Sequence, residues 1–239
     1  MNGGTSLWAL MLKRMARPAS ERPIPPRLPA DMPSEPNLSL TASSEVNGLT
    51  IQGDFSDVHL EDLMVEDSHI VHSSFIAADL HRLRLVDVLV EGSDFSGADM
   101  GEASFTRVTF KGCRMSGALV PRARMRDVTF YEVRLENANF RMSQGDRVLF
   151  DHVNLERAEF YSAYLTNTCF FDCNLSGADV SQAELPGARF HGSVLAEIQG
   201  GEYLRDVVIE SSQVLPLATR VFAGLNIRVE DNRDAQSPE

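Results

Sequence analysis

The sequence places one large apolar residue at every fifth position from Phe55 to Leu195, with the single exception of Gly145. An amphipathic helix repeats its apolar residues at steps of three and four, and a half-buried strand repeats them at a step of two. A strict step of five fits neither element. It predicts a chain that turns a corner every five residues and points one large side chain inward on each side.

A second column of residues supports this register. The position two residues before each large apolar residue mostly holds a small or β-branched side chain, as at Ala78, Ala98, Ala118, Ala138 and Ala158. The three remaining positions of each five are mostly polar or glycine. Two inward columns, one large and one small, predict a narrow tube with a polar outer surface.

Three segments show the repeat most clearly: residues 95–100 (FSGADM), 135–140 (LENANF) and 175–180 (LSGADV). They resemble the pentapeptide-repeat family, and the resemblance covers roughly residues 50 to 200. It implies an all-β fold, a right-handed quadrilateral parallel β-helix with four pentapeptides per coil. The resemblance identifies an architecture rather than an activity.

The chain divides into four regions: an N-terminal extension over 1–36, the β-helix over 37–210, a C-terminal helix and cap over 211–229, and a tail over 230–239. Within the extension, residues 18–36 are rich in proline and are predicted to be extended or disordered, with no core. Before them, four apolar residues recur at helical spacing and predict a short amphipathic helix: Trp8, Met11, Leu12 and Met15.

Basic residues flank this apolar stripe at Lys13, Arg14 and Arg17. The segment is a candidate for docking on a partner or on a membrane surface. The alternative is a leader without structure, in which Met11 or Met15 is the true start. It is not expected to be a signal peptide, because its apolar run is short and the basic residues follow that run.

The step of five fades after Leu195, and residues 211–224 are predicted to form a helix with Ser212 as N-cap and Gly224 as C-terminal stop. A β-helix must cover its last coil. We expect this covering role for Leu215, Ala218 and Phe222. An adjacent stripe offers candidates for the cap or for a homodimer interface: Val214, Leu217 and Val221. Residues 225–229 could add a final strand.

Catalytic motifs are lacking in the sequence, so neither an enzyme nor a cofactor is expected. His69 and His72 flank Ile70, but no further ligand at suitable spacing completes a metal site. Cys113 and Cys173 fall three coils apart, too far for a disulfide, and Cys169 has no evident partner. The chain is therefore predicted to be a reduced, cytoplasmic protein, and no apolar run approaches the roughly 20 residues of a membrane span.

Charge bears most directly on function. The formal net charge is −12, and the resemblance includes family members that protect DNA gyrase from quinolones by imitating duplex DNA. Residues 51–104 hold twelve Asp or Glu against two Arg, but residues 105–150 hold nine Lys or Arg against four acids. A DNA mimic needs continuous negative potential, and this central basic belt interrupts it. Such mimicry of DNA toward gyrase or topoisomerase is therefore the alternative and not the preferred function.

Part of the belt is expected to be neutralised in salt-bridge ladders between coils, through Asp62, Arg82, Glu102 and Arg122 and through Arg107, Asp127 and Arg147. Arg114 and Arg134 stack in neighbouring coils without such alternation. With Arg124 and Arg126 nearby in sequence, they are the candidates for a site that receives an acidic partner. Four aromatic residues point outward as candidate interface residues: Tyr131, Tyr161, Tyr164 and Phe171.

The sequence thus predicts a non-catalytic scaffold that binds an unidentified protein through the outer faces of a rigid rod. Direct binding to nucleic acid is not expected. Contact with a membrane is open only to the N-terminal segment. The choice between monomer and homodimer stays open.

Overall fold

The computed structural model describes residues 21–35 and 38–227. The described chain contains ten short strands, two 3₁₀ turns (Gly201–Tyr203 and Ser211–Gln213) and one helix, α1 (Val214–Gly224). The strands are β1 (Glu45–Asn47), β2 (Thr50–Ile51), β3 (Met64–Glu66), β4 (His69–Val71), β5 (Arg84–Glu91), β6 (Ser104–Lys111), β7 (Arg124–Tyr131), β8 (Gln144–Asp151), β9 (Tyr164–Thr166) and β10 (Cys169–Phe171).

All strand pairs are parallel, and in the middle of the chain the register advances by 20 residues. Arg84 pairs with Ser104, and Ser104 pairs with Arg124. Isolated bridges with the same step, such as Asp94 to Arg114 and Asp99 to Leu119, join the other two sides. The chain therefore winds as the right-handed quadrilateral parallel β-helix that the sequence predicts.

We number the four faces by their outward positions in one coil. Face 1 carries positions 84 and 86, face 2 carries 89 and 91, face 3 carries 94 and 96, and face 4 carries 99 and 101, each repeating every 20 residues. Faces 1 and 3 are opposite. Strands β5 to β8 are long because each crosses the corner between faces 1 and 2. Asp87 turns that corner with a φ of 53°, in the left-handed region.

The interior is the predicted double column of large and small residues. Phe130, Phe150, Phe170 and Phe190 stack in parallel, with ring centroids 4.8–4.9 Å apart. The spacing matches the distance of about 4.8 Å between paired strands. Gly145 interrupts the column of face 1, and its place is taken by neighbours: a Cβ there would lie 2.8 Å from Leu165 Cδ2 and 2.9 Å from Val148 Cγ2.

The proline-rich residues 21–35 lie along the outside of the β-helix and are called the strap. The backbone N–H of Ile24 donates to Asp127 Oδ1 at 3.0 Å, and that of Arg27 donates to Asp87 Oδ1 at 2.9 Å. Two coils separate these carboxylates, about 9.6 Å. Three residues of polyproline II helix rise about 9.3 Å. The strap is thus extended as predicted, but it belongs to the folded unit, and Pro23 is buried in it.

The C-terminal end of the strap meets the first coil. Thr50 donates its N–H to Pro33 O at 2.8 Å and its hydroxyl to Met32 O at 3.1 Å, and Ser34 forms a parallel bridge with Thr50. These bonds satisfy donors at the first edge of the sheet. Residues 1–20, which include the predicted amphipathic helix, lie outside the described residues, as do Pro36, Asn37 and the predicted tail.

The C-terminal helix starts differently from the prediction. Ser212 is not its N-cap, because the first turn is a 3₁₀ turn that begins after Glu210, and Glu210 and Gln213 form the capping box. Gln213 Nε2 also donates to the carbonyl oxygens of Phe190, at 2.5 Å, and Ser193, at 2.6 Å. Gln213 therefore joins the helix to the open edge of the last coil. A glutamine amide carries enough donors and acceptors for both tasks.

The face of the helix that covers the last coil also differs. Leu217 is buried in the core cluster and Val221 packs against it, and both side chains lie over Gly201. Leu215 is 78% exposed, and Phe222 and Val214 are also exposed, so the expected covering role of Leu215 and Phe222 is wrong. Residues 225–227 form a turn and not the start of a strand. Leu217 and Val221 cap the tube.

Candidate functional site

The candidate site is a shallow depression on face 1, with a volume of about 390 Å³. Arg124 and Arg126 from β7 line it, and Gln144 from β8 and Tyr164 from β9 continue it toward the C-terminal end. All four side chains are exposed. On the other side, the shorter Ser104 and Thr106 of β6 border it. We call the exposed surface formed by these six residues the face 1 site.

The depression follows from short side chains beside long ones. On a strand, successive residues point to opposite sides, so the outward residues of face 1 alternate with the core residues Phe105 and Met125. Ser104 and Thr106 project only a few ångströms from this sheet, whereas Arg124, Arg126 and Tyr164 project much further. The sheet beneath these side chains is closely packed. Each guanidinium group can therefore change its position only through the rotamers of its own side chain.

Ion pairing distinguishes these arginines from most of the basic belt. The predicted ladders are present in part: Arg82 contacts Asp62 at 2.7 Å, Arg122 contacts Glu102 at 3.8 Å and Arg147 contacts Asp127 at 2.6 Å. Within the described residues, no ion pair joins Arg82 to Glu102 or Arg107 to Asp127. Arg107 makes the equivalent bidentate pair with Asp87. These contacts hold the pKa of both Arg107 and Arg147 above the ordinary value, chiefly through the hydrogen bonds to the carboxylates.

Within the described chain, no ion pair includes Arg124. Arg126 Nε lies 4.0 Å from Asp127 Oδ2, a carboxylate that Arg147 already binds bidentately. The nearby Asp146 accepts hydrogen bonds from Arg147, Thr166 and Asn167. The two guanidinium groups of the face 1 site therefore retain donors for an external carboxylate or phosphate.

Arg114 and Arg134 do not belong to this site. They pair with each other across neighbouring coils, with Asn154 beyond, as predicted, but they lie on face 3, the opposite side of the rod. Ten residues separate Arg114 from Arg124, which is half a coil. Beside Arg134, Glu136 accepts hydrogen bonds from Ser116 Oγ at 2.6 Å and Asn154 Nδ2 at 2.9 Å. The structure splits the four candidate arginines into two pairs.

The four candidate aromatic residues lie on three faces. Tyr164 is 47% exposed and belongs to the face 1 site. Tyr161, on face 4, is partly buried under Arg141, whose guanidinium carbon lies 4.6 Å from the ring centroid. Tyr131 and Phe171 share the outward column of face 2, as predicted, but Phe171 is only 6% exposed. Phe171 was therefore wrongly predicted as a solvent-exposed interface residue: it is buried in a cluster with Leu149 and Cys169, and its ring lies 5.8 Å from that of His191.

Sequence reasoning missed one cluster of potential metal ligands. The side-chain ligand atoms of Asp151, His152 and Asp172 lie within 4.8 Å of one another. The register of 20 residues that places Asp172 above His152 was a signal for it. His152 Nδ1 contacts Asp151 Oδ1 directly at 2.6 Å, and Nε2 lies 3.8 Å from Asp172 Oδ2. The contacts are those of a hydrogen-bonded ion-pair group.

Of the histidines and cysteines that the sequence highlighted, His72 is exposed, His69 is half-buried and the three cysteines are buried. His69 Nε2 lies 3.6 Å from Glu91 Oε2, and burial lowers the pKa of His69. All three cysteines are free and buried. Burial raises the pKa of Cys113 to about 11 and that of Cys173 to about 12. Both thiols therefore stay protonated and unreactive near neutral pH.

The sequence also matches a family model that agrees with this architecture. Eight copies of the pentapeptide repeats match between residues 73 and 197, over 73–112, 84–120, 103–141, 147–177 and 173–197. The chain belongs to the pentapeptide-repeat family. No curated protein sequence matches it. Among the described residues, no helix is long enough and apolar enough to cross a bilayer.

Solved pentapeptide-repeat structures are similar at low identity. Full-length QnrB1, described as a plasmid-mediated fluoroquinolone resistance protein, is 16% identical, with a TM-score of 0.42 over 74% of this chain and 100% of that chain. HetL from the cyanobacterium Nostoc sp. strain PCC 7120, described as involved in heterocyst differentiation regulation, is also 16% identical, with a TM-score of 0.27 over 70% of this chain and 87% of that chain. Family membership rests on the repeat match and not on these two likenesses.

Proposed function

We propose that this pentapeptide-repeat protein is a non-catalytic scaffold that binds an acidic protein partner at the face 1 site. The observation that carries the proposal is the pair of exposed guanidinium groups of Arg124 and Arg126, which are largely free of internal carboxylates, beside the exposed ring of Tyr164. Arginine and tyrosine are the residue types that most often dominate the energy of protein interfaces.

The shape of the site supports a protein partner more than a small molecule. Small ligands bind in concave pockets that bury most of their surface. The face 1 site is an open, shallow surface on a flat sheet, and a larger depression of about 670 Å³ at the C-terminal end is lined by residues of both charges. We infer a cytoplasmic location from the three free thiols.

The division of the arginines argues against mimicry of DNA. Positive side chains interrupt the rod on two opposite faces at the same level, with Arg124 and Arg126 on face 1 and Arg114 and Arg134 on face 3. A DNA-binding groove is lined with cations. Whether face 1 or face 3 of the rod entered such a groove, the groove would face one of these two pairs of arginines. The preferred partner is therefore acidic.

The two arginine pairs provide a matched test. We expect Arg124→Glu with Arg126→Glu to abolish capture of the cellular partner in a pull-down from the native host, because like charges would then face each other across the interface. Arg114→Glu with Arg134→Glu makes the same charge change on face 3 and should leave capture unchanged. Capture by the parent protein should weaken as salt is raised.

Two results would contradict the proposal. Loss of capture in the face 3 variant, with normal capture in the face 1 variant, would place the partner on the other side of the rod. Inhibition of gyrase supercoiling by the parent protein at low micromolar concentration, strengthened by either pair of Arg→Glu changes, would establish DNA mimicry instead.

A further inference from the structure

Three outward side chains on face 2 are buried, and among the described residues only one of them, Phe171, packs beside a ring of the next coil, that of His191 at 5.8 Å between centroids. Leu149 and Cys169 are 0% exposed and Phe171 is 6% exposed. Their neighbours Phe150 and Phe170 point into the tube and stack with ring centroids 4.9 Å apart. Because side chains alternate along a strand, Leu149, Cys169 and Phe171 point away from the tube. They form a separate cluster, called here the face 2 cluster.

The strap leads toward this cluster but, by its described contacts, stops short of it. From Arg27 back to Ile24 the strap rises from the coil of Asp87 to the coil of Asp127. At the same rise one further coil takes about 1.5 residues, so the strap approaches the coil of Asp151 near Pro23, before the bend at Arg22 and the 3₁₀ turn at Glu21. The described strap therefore begins, at Glu21, near the level of the face 2 cluster.

The length of the segment before Glu21 suits the cluster. A helix over residues 7–17 would be about 16 Å long. Three coil-to-coil intervals of the β-helix measure about 14 Å. Thr109 lies at the level of the strap, and the three intervals beyond it run from Thr129 to Arg189. Along them Thr129, Leu149, Cys169 and the Nε atom of Arg189 are buried.

Chemistry also matches on both sides. The segment before the strap carries an apolar stripe at helical spacing, with Trp8, Met11, Leu12 and Met15, and basic residues at Lys13, Arg14 and Arg17. Beside the face 2 cluster lie Asp151, which is 2% exposed, and Asp172, one coil further along. An apolar stripe with adjacent cations complements an apolar cluster with adjacent carboxylates.

We propose that the N-terminal segment of residues 7–17 docks on face 2 of its own chain, with Trp8, Met11, Leu12 and Met15 covering Leu149, Cys169 and Phe171. The docked segment continues the strap, so the two together close face 2 and leave face 1 as an open sheet. This inference does not depend on the proposed partner of the face 1 site.

Two intrinsic probes report on the docking in the full-length protein. Trp8 is the only tryptophan of the chain, so its fluorescence reports on the segment alone. Cys169 is the one cysteine that points outward, whereas Cys113 and Cys173 lie within the tube with their pKa values raised by burial. Alkylation with N-ethylmaleimide, mapped to the modified peptide by mass spectrometry, therefore reports on the face 2 cluster.

The first variant places charges on the stripe. In the parent protein Cys169 should resist alkylation. In Leu12→Glu with Met15→Glu it should react at least about tenfold faster, because protection by a covering segment follows the docking equilibrium. Asn2→Glu with Ser6→Glu adds two charges off the stripe and should keep Cys169 protected. Equal alkylation rates in the parent and the stripe variant would overturn the proposal.

The second variant changes the face 2 cluster instead of the N-terminal segment. Trp8 emission should be blue-shifted and resistant to acrylamide in the parent, and Leu149→Glu should shift it to that of a solvent-exposed indole while the far-ultraviolet circular dichroism stays unchanged. If Leu149→Glu unfolds the β-helix, the stripe variant still decides. Exposed Trp8 emission in the parent would overturn the docking. A parent dimer whose Cys169 protection is lost on dilution would assign the covering segment to a second copy and overturn docking within one chain.

Discussion

Faces 1 and 2 are built from the same four strands, yet one is open and the other is closed. Strands β5 to β8 pass from face 1 to face 2 through one corner, with the same register and the same spacing. On β8, Gln144 of face 1 is exposed and Leu149 of face 2 is buried. The backbone cannot account for this difference, because it is continuous and equally paired on both faces.

The difference lies in the outer residues and in what each face attracts. Face 1 carries Arg124, Arg126 and Tyr164, whereas face 2 carries Thr129, Leu149 and Cys169 at comparable levels of the rod. The corner between them supplies Asp87 and Asp127, whose carboxylates hold the strap. The backbone of the β-helix is therefore the same on both faces. The outward side chains determine which faces are free to bind a partner.

The largest effect is expected inside the tube, which both faces share. Phe150→Ala should lower the free energy of unfolding by roughly 3–5 kcal/mol, because it leaves a cavity in the stack between Phe130 and Phe170. Urea unfolding followed by circular dichroism measures this. A variant as stable as the parent would mean that the inward register is wrong.

A pair of substitutions on β8 tests the contrast itself. Leu149→Ala should cost about 2 kcal/mol, since it removes a buried side chain, whereas Gln144→Ala should change stability by less than about 0.5 kcal/mol, as exposed positions do. Both are measured by urea unfolding of the full-length chain. Equal costs for the two variants would remove the distinction between the faces.

The ion pairs and strap contacts at the corner between faces 1 and 2 should contribute less to stability than the burial of Leu149. Asp127→Ala removes the partner of Arg147 and the acceptor for the N–H of Ile24, and we expect a loss of roughly 1–3 kcal/mol. Asp62→Ala removes an exposed ladder pair with Arg82 and should change the melting temperature less than Asp127→Ala does, because solvent screens exposed ion pairs. If thermal melts rank the two variants in the opposite order, the strap contact at Asp127 is not stabilising.

The smallest expected effect is on the stability of the protein at low pH. Burial raises the pKa of Asp87, but hydrogen bonds from Arg107 and from the N–H of Arg27 together hold it below its ordinary value. The stabilisation is therefore present above the unfolded pKa of about 3.9 and is lost as the pH falls through the lower folded value. Asp87→Asn should flatten the decline of the urea midpoint below about pH 4. A decline as steep in Asp87→Asn as in the parent would contradict this assignment.

Most of the architecture could be predicted because it repeats. The step of five identified the inward residues, and the step of 20 identified the ladder of Arg82 on Asp62. The same step also places Arg114 and Arg124 half a coil apart, but closeness in sequence favoured grouping them. Repetition thus predicts both the core and the position of each outer residue on a face.

What could not be predicted depends on contacts between remote or non-repeating segments. The step of 20 places His191 beside Phe171 but does not give the burial of Phe171. The contact of Ile24 with Asp127 joins residues 103 positions apart. At the C-terminal end, spacing alone favoured the stripe of Leu215, Ala218 and Phe222 as the cover, with Leu217 and Val221 on the adjacent stripe. The approach of the last coil, with Gly201 under Leu217, selects one of them.

The alternation of Asp87, Arg107 and Asp127 restricts how this protein can change its length in evolution. Duplicating or deleting a single coil of 20 residues between the strap contacts would preserve the stacking of the core. It would, however, place a guanidinium group where the strap requires a carboxylate, because acceptors occur only in every second coil. The rod can lengthen there without releasing its strap only in units of two coils, and the strap must then gain about three residues for each unit.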